Sequence, residues 1–201
     1  MTWINTVAYE DATGRLKTLY DRVKGPDNNV DNIMMAHSLR PHSMEGHMTI
    51  YKYVLHHSGN KVPKWLLEAC GVYTSHLNGC DYCFEHHFSG MKRLLGDDDR
   101  SAKIRAAFLR DDPAQAFVGD ELQIMHYTRK LTLTPAKMVE ADVAILRESG
   151  LDDGKILEIN QVVSYFNYAN RTVLGLGVNT SGDILGLSPN QSDDPDNWNH
   201  S

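Results

Sequence analysis

The chain has 201 residues, of which 41% are hydrophobic and 23% charged, a composition that suits a globular protein with one substantial core. A net charge of −6 and the absence of any Lys/Arg cluster argue against nucleic acid and anionic membranes as partners. No apolar run approaches the ~20 residues needed to span a bilayer; residues 1–11 lack the basic start and apolar stretch of a secretory signal; and three cysteines do not make a stapled secreted scaffold, so a cytoplasmic protein is expected.

In chain order, apolar residues recur at helical spacing almost everywhere. Leu16, Leu19, Tyr20 and Val23 mark a first amphipathic helix, stopped by Gly25-Pro26. After a polar loop, Val30, Ile33, Met34 and His37 start a short helix that ends before Pro41, and Met44, Met48, Tyr51 and Leu55 carry the next one up to Gly59. Pro63 suits a first helical position, and Trp65, Leu66, Ala69, Val72 and Tyr73 continue that helix to Asn78-Gly79, two residues that tolerate a left-handed stop. A second arm starts near Cys80 or Asp81 and reaches Leu95, with Gly96 as its stop. Asp97, Asp98 and Asp99 form an N-cap cluster for a helix around Ile104 and Phe108. Pro113 is expected to open a helix through Phe117, Leu122, Met125 and Leu131, and Thr134-Pro135 another that leads to Leu146 and Gly150. The last helix runs from about Asp153 to Leu176. No stretch alternates as a strand would, so the expectation is one all-α domain over residues 1–201, with a core at about 3–178 and a polar tail at 188–201 that frays.

The chemistry concentrates in WLLEACGVYTSHLNGCDYCFEHHF, residues 65–88. Glu68 lies about 14 Å up the first arm of this helical hairpin and His87 about 10 Å along the second, at 1.5 Å per residue. Folded back antiparallel, the arms bring the two level. Cys83 and His87 are an i, i+4 pair and share a helix face. A thiolate is the nucleophile, and its pKa falls near a helix N-terminus or a histidine. Glu68 can orient His87 or accept its proton. A second thiol three residues away can close a disulfide on an oxidised first one.

The pattern Glu68-x11-Cys80-x-x-Cys83-x3-His87, with Asn78 ahead of the first cysteine, resembles the alkylhydroperoxidase AhpD-like branch of the carboxymuconolactone decarboxylase superfamily. The C-terminal half is similar to its peroxidase-related subgroup, in the Leu133-Thr134-Pro135 entry, the Gly150 stop, and Asn170-Arg171 before a Gly-rich end. The resemblance spans roughly residues 3–178. It implies an AhpD-like helical bundle with the CxxC motif on a central hairpin, assembled as a homo-oligomer, a trimer or hexamer. It also implies a thiol-dependent peroxidase with no cofactor, which reduces a hydroperoxide and is turned over by a dithiol or protein reductant. In that family the second cysteine attacks the peroxide and the first resolves it, while glutamate and histidine relay protons; the matching residues are Cys83, Cys80, Glu68 and His87. The chain departs from the family at Tyr82, where well-studied members carry a histidine.

Other readings stand beside this one. Cys80, Cys83 and His87 could be three ligands of an open metal site, but a structural zinc needs four and no second Cys-x-x-Cys or His pair follows; the family match and Glu68 favour redox chemistry and no metal. A carboxymuconolactone decarboxylase-like enzyme is a second class, although those proteins lack the paired cysteines, and a non-enzymatic thiol redox switch is a third. Cys70, two residues on from Glu68, reads as a small buried hydrophobe. His76 and His86 read as surface or interface residues. His37, His42, His47, His56 and His57 read as scattered rather than as a ligand set, with His37 the one candidate for the mouth of the site. Met34, Met35, Met44 and Met48 read as core filler. Asn170 and Arg171, inside a helix, need polar partners.

Overall fold

The computed structural model describes residues 2–188 together with Trp198 and His200. Among these the chain forms α-helices and no β-strand: α1 (Gly14–Val23), α2 (Asn32–Ala36), α3 (Pro41–Tyr51), α4 (Lys64–Leu77), α5 (Asp81–Leu95), α6 (Asp98–Leu109), α7 (Gly119–Leu133), α8 (Glu140–Glu148) and α9 (Asp153–Leu176). The centre of the bundle is α4, buried at every position from Leu66 to Ser75. A helix apolar all round is one enclosed on all sides, and α4 packs against α5, α7 and α9. Gly71 lets α9 approach closely: a Cβ there would sit 2.2 Å from the Phe166 ring of α9.

Capping follows elementary rules. Asp97 accepts from the Arg100 backbone N–H at the start of α6, and Asp152 from that of Lys155 at the start of α9, both at 2.9 Å. Two expected helix starts are corrected. Pro113 opens only a 3₁₀ turn, Pro113–Gln115, because Val118 is extended and Gly119 takes a left-handed φ of 58°, so α7 begins there. Thr134-Pro135 likewise opens a 3₁₀ turn, Pro135–Lys137; α8 starts at Glu140, where the Asp142 carboxylate accepts from the Val139 N–H at 2.8 Å. Past α3 the chain widens into a π-turn, Lys52–His56, which brings His56 to 3.7 Å from Glu68 of α4.

Of the tail expected to fray, residues 189–197, 199 and 201 lie outside the described residues. Trp198 and His200 depart from that expectation, being 3% and 7% exposed, and the Arg22 guanidinium lies 3.6 Å from the centre of the Trp198 ring. No helix among the described residues is long and apolar enough to cross a membrane.

Candidate active site

Cys80 is the N-cap of α5 and Cys83 sits in its first turn, so both sulfurs lie where the positive end of the helix favours a thiolate. From α4, Glu68 meets α5 one turn further on: its Oε2 is 2.8 Å from His87 Nδ1. The other carboxylate oxygen faces His56 Nε2 at 3.7 Å, which makes no hydrogen bond. Glu68 is buried, and Phe166 sets the edge of His87 with ring centres 4.5 Å apart. The site residues named from the sequence therefore converge on one hairpin.

The two thiols are not equivalent. A hydrogen bond from the Cys83 thiol holds the Cys80 pKa below its ordinary value against the opposing effect of burial. That same bond, together with burial, pushes Cys83 well up. Cys80 is thus the more readily ionised thiol of the pair. Asn170 of α9 lowers both thiols. It is fully buried, held by the Asn78 amide it accepts at 2.9 Å and the Ser75 hydroxyl to which it donates at 3.1 Å. Arg171, beside it, is exposed and bonds Asn167 on its own helix. Cys70 is buried with its thiol pushed up to about 12.

Cys83, Glu68 and His87 open on a cavity of about 40 Å³, and Tyr51, Tyr165 and His47 line it as well. Cys80 instead lines a separate groove of about 300 Å³ with Asp81, Glu85 and Leu174. His47 Nε2 is 3.2 Å from the Tyr165 hydroxyl, and burial pushes its imidazole down to about 3. Burial likewise holds His56 well below its usual pKa. The sequence reading of scattered histidines holds for exposed His42, but His37, His47 and His56 are buried around this centre. His37 lies against His47 with the rings tilted and their centres 5.0 Å apart.

His86 corrects a second expectation: it is buried, with Nε2 3.2 Å from Asp183 Oδ2. Tyr82 donates to the same oxygen at 2.8 Å and accepts from the Ile33 N–H at 3.2 Å, so its hydroxyl is tied to Asp183 and to α2. Nearby, burial raises Asp31 to about 6. Nothing in the spacing of Asp31, His47, Asp183 or His200 marks them as neighbours; only the fold does. Among the described residues no group of three His, Cys, Asp or Glu is placed to hold a metal ion.

No family model matches the chain. The uncharacterized protein YdfG of Bacillus subtilis (strain 168) is 20% identical over 141 residues, which is 70% of this chain and 91% of that protein. The alkylhydroperoxidase AhpD core of an uncharacterized peroxidase-related protein from Ralstonia eutropha JMP134 superposes with a TM-score of 0.74 at 18% identity, over 92% of this chain and 96% of that one. The debrominase Bmp8, solved in complex with 2,3,4-tribromopyrrole, superposes with a TM-score of 0.69 at 13% identity, over 89% and 91%. The fold is AhpD-like.

Proposed function

We propose that this chain is a thiol-dependent peroxidase that reduces hydroperoxides through Cys80 and Cys83. The observation that carries the reading is the 2.8 Å Glu68–His87 pair on the cavity onto which Cys83 opens, with a second thiol hydrogen-bonded behind it. Cys83 gives its proton to His87, whose imidazolium Glu68 stabilises. The Cys83 thiolate then attacks one peroxide oxygen, the O–O bond breaks, and His87 returns the proton to the departing hydroxide or alkoxide, leaving water or an alcohol and a sulfenic acid on Cys83. The Cys80 thiolate attacks that sulfur, forming the disulfide and expelling hydroxide, which takes a proton from solvent. A dithiol or protein reductant restores both thiols and is itself oxidised.

The test is peroxide consumption with dithiothreitol as reductant. Cys83→Ser abolishes it, and His87→Ala or Glu68→Gln slows it by about 10²–10⁴-fold. Mass spectrometry of peroxide-treated, alkylated protein gives an 80–83 link with Cys70 free. Consumption that survives Cys83→Ser, or a dominant bridge to Cys70, counts against the mechanism.

The likeness to a debrominase suggests a second reading, thiolate attack on a halogenated ring. A cavity of about 40 Å³ argues against a substrate of that size, and release of bromide from tribromopyrrole under the same conditions would reverse the ranking. The assembly proposed with the peroxidase reading is a homo-oligomer, supported by Leu157, Tyr168 and Leu174 exposed along α9 with Ile145 on α8. A stable monomer in light scattering at micromolar concentration contradicts it.

A further inference from the structure

Residues 179–188 follow α9 and run back across the cysteine helix, where they are fastened at many points. The Asn32 amide donates to the carbonyls of Asn179 and Ser181 at 2.8 and 3.0 Å, and the Asn29 amide to that of Gly182 at 3.0 Å. The Asp183 carboxylate accepts from the Asn32 N–H, both oxygens at 3.1 Å, and from the Tyr82 hydroxyl at 2.8 Å. Gly186, at φ 82°, lies so close on α5 that a Cβ would come 2.8 Å from that of Ser89. Arg93 donates to the Ser188 hydroxyl at 2.8 Å. Leu187 is pressed against Gly25, where a Cβ would meet its Cδ1 at 2.7 Å.

The consequence is geometric. Leu187 and Ser188, together with His200, form one wall of the cavity that holds Cys83, Glu68 and His87. A cavity that takes a benzene ring measures about 150 Å³, so about 40 Å³ leaves room for a small guest only. A peroxide of two oxygens fits that space, whereas an aryl ring or a lipid chain is too large to be enclosed in it.

We propose that this strap sets the size of molecule that reaches Cys83, and so restricts the site to hydrogen peroxide and comparably small peroxides. The chemical class rests on the peroxidase reading; the size limit at the sulfur does not. Tyr82 becomes a positioning residue here, since its hydroxyl holds Asp183 and through it the strap.

The full chain with Cys70→Ser and Cys80→Ser, leaving Cys83 as the sole thiol, tests the limit without turnover. It is reacted with methyl methanethiosulfonate and with pyrenyl maleimide, and the ratio of rates is compared with that for a free cysteine peptide; the ratio removes any change in thiol pKa. The expected result is a bias against the bulky reagent of at least about tenfold, the equivalent of about 1.4 kcal/mol in the barrier. Leu187→Ala, which thins the wall, and Gly186→Val, which cannot seat on Ser89, reduce that bias. A bulky reagent that reaches Cys83 as readily as it does the peptide overturns the proposal. So do strap variants that keep their helical circular dichroism and the full bias; if both variants unfold, the bias of the intact strap decides alone. In the catalytic chain, hydrogen peroxide is preferred over cumene hydroperoxide, and Leu187→Ala narrows the preference. Failure of every form to consume peroxide removes the reaction reading, while the reagent ratio still judges the strap.

Discussion

At the scale of single residues, the unequal acidity of Cys80 and Cys83 is the feature most open to measurement. The Cys80 pKa is held down by the Cys83 thiol that donates to it. Thiolate ultraviolet absorbance followed against pH should show one thiol titrating below the ordinary cysteine range. Cys83→Ala removes the donor and should move that titration up, while Cys80→Ala should abolish it. A low titration that persists in Cys80→Ala would place the thiolate on Cys83 instead. The chemistry tolerates this arrangement because the nucleophile facing the cavity needs its proton removed only when His87 is ready to take it.

Between elements, the decisive contact is α4 on α9. Gly71→Ala would drive a methyl group into Phe166, where the ring carbons stand 2.2–2.7 Å from the added atom. Overpacking of this kind typically costs about 1–3 kcal/mol, and because Phe166 buttresses His87, peroxide turnover should fall along with Tm. Gly46 in α3 is the contrasting case, since a Cβ there meets nothing within 4 Å. Gly46→Ala should therefore stabilise the chain by about 0.5–1 kcal/mol through helix propensity alone. Thermal melts of the two variants read both effects, and a neutral Gly71→Ala would mean that the α4–α9 contact yields.

For the whole molecule, buried histidines make acid the weak side. Burial pushes His47 down to about 3 and His200 to about 4. In the unfolded chain these groups take a proton below about 6.5, which the folded chain refuses, so stability present above 6.5 is lost as pH falls toward those depressed values. His47 alone accounts for about 2 kcal/mol at pH 5. Asp31, raised to about 6, acts in the opposite direction: the folded state takes its proton first, which returns about 1 kcal/mol between pH 7 and 5. The net expectation is a Tm that drops from pH 7 to pH 5, with a shallower drop in His47→Gln. A Tm constant over that range would show that these imidazoles are hydrated in solution.

The periodicity of apolar residues was enough to read the all-helical class, the helix stops at Gly96 and Gly150, and the level placement of Glu68 beside His87. These depend on hydrogen bonds and a rise per residue that act within a few positions along the chain. The same local logic failed at Pro113 and Thr134-Pro135, where a proline fits a 3₁₀ turn as well as a helix start and the left-handed Gly119 or the Asp142 cap decides the boundary. It could not reach the unequal acidity of Cys80 and Cys83, the burial of His47, His56 and His86, or the wall built by Leu187 and His200. Each of these is set by which helix faces meet and how much water they exclude. That is decided by packing between residues far apart in the chain, and no spacing within one segment records it.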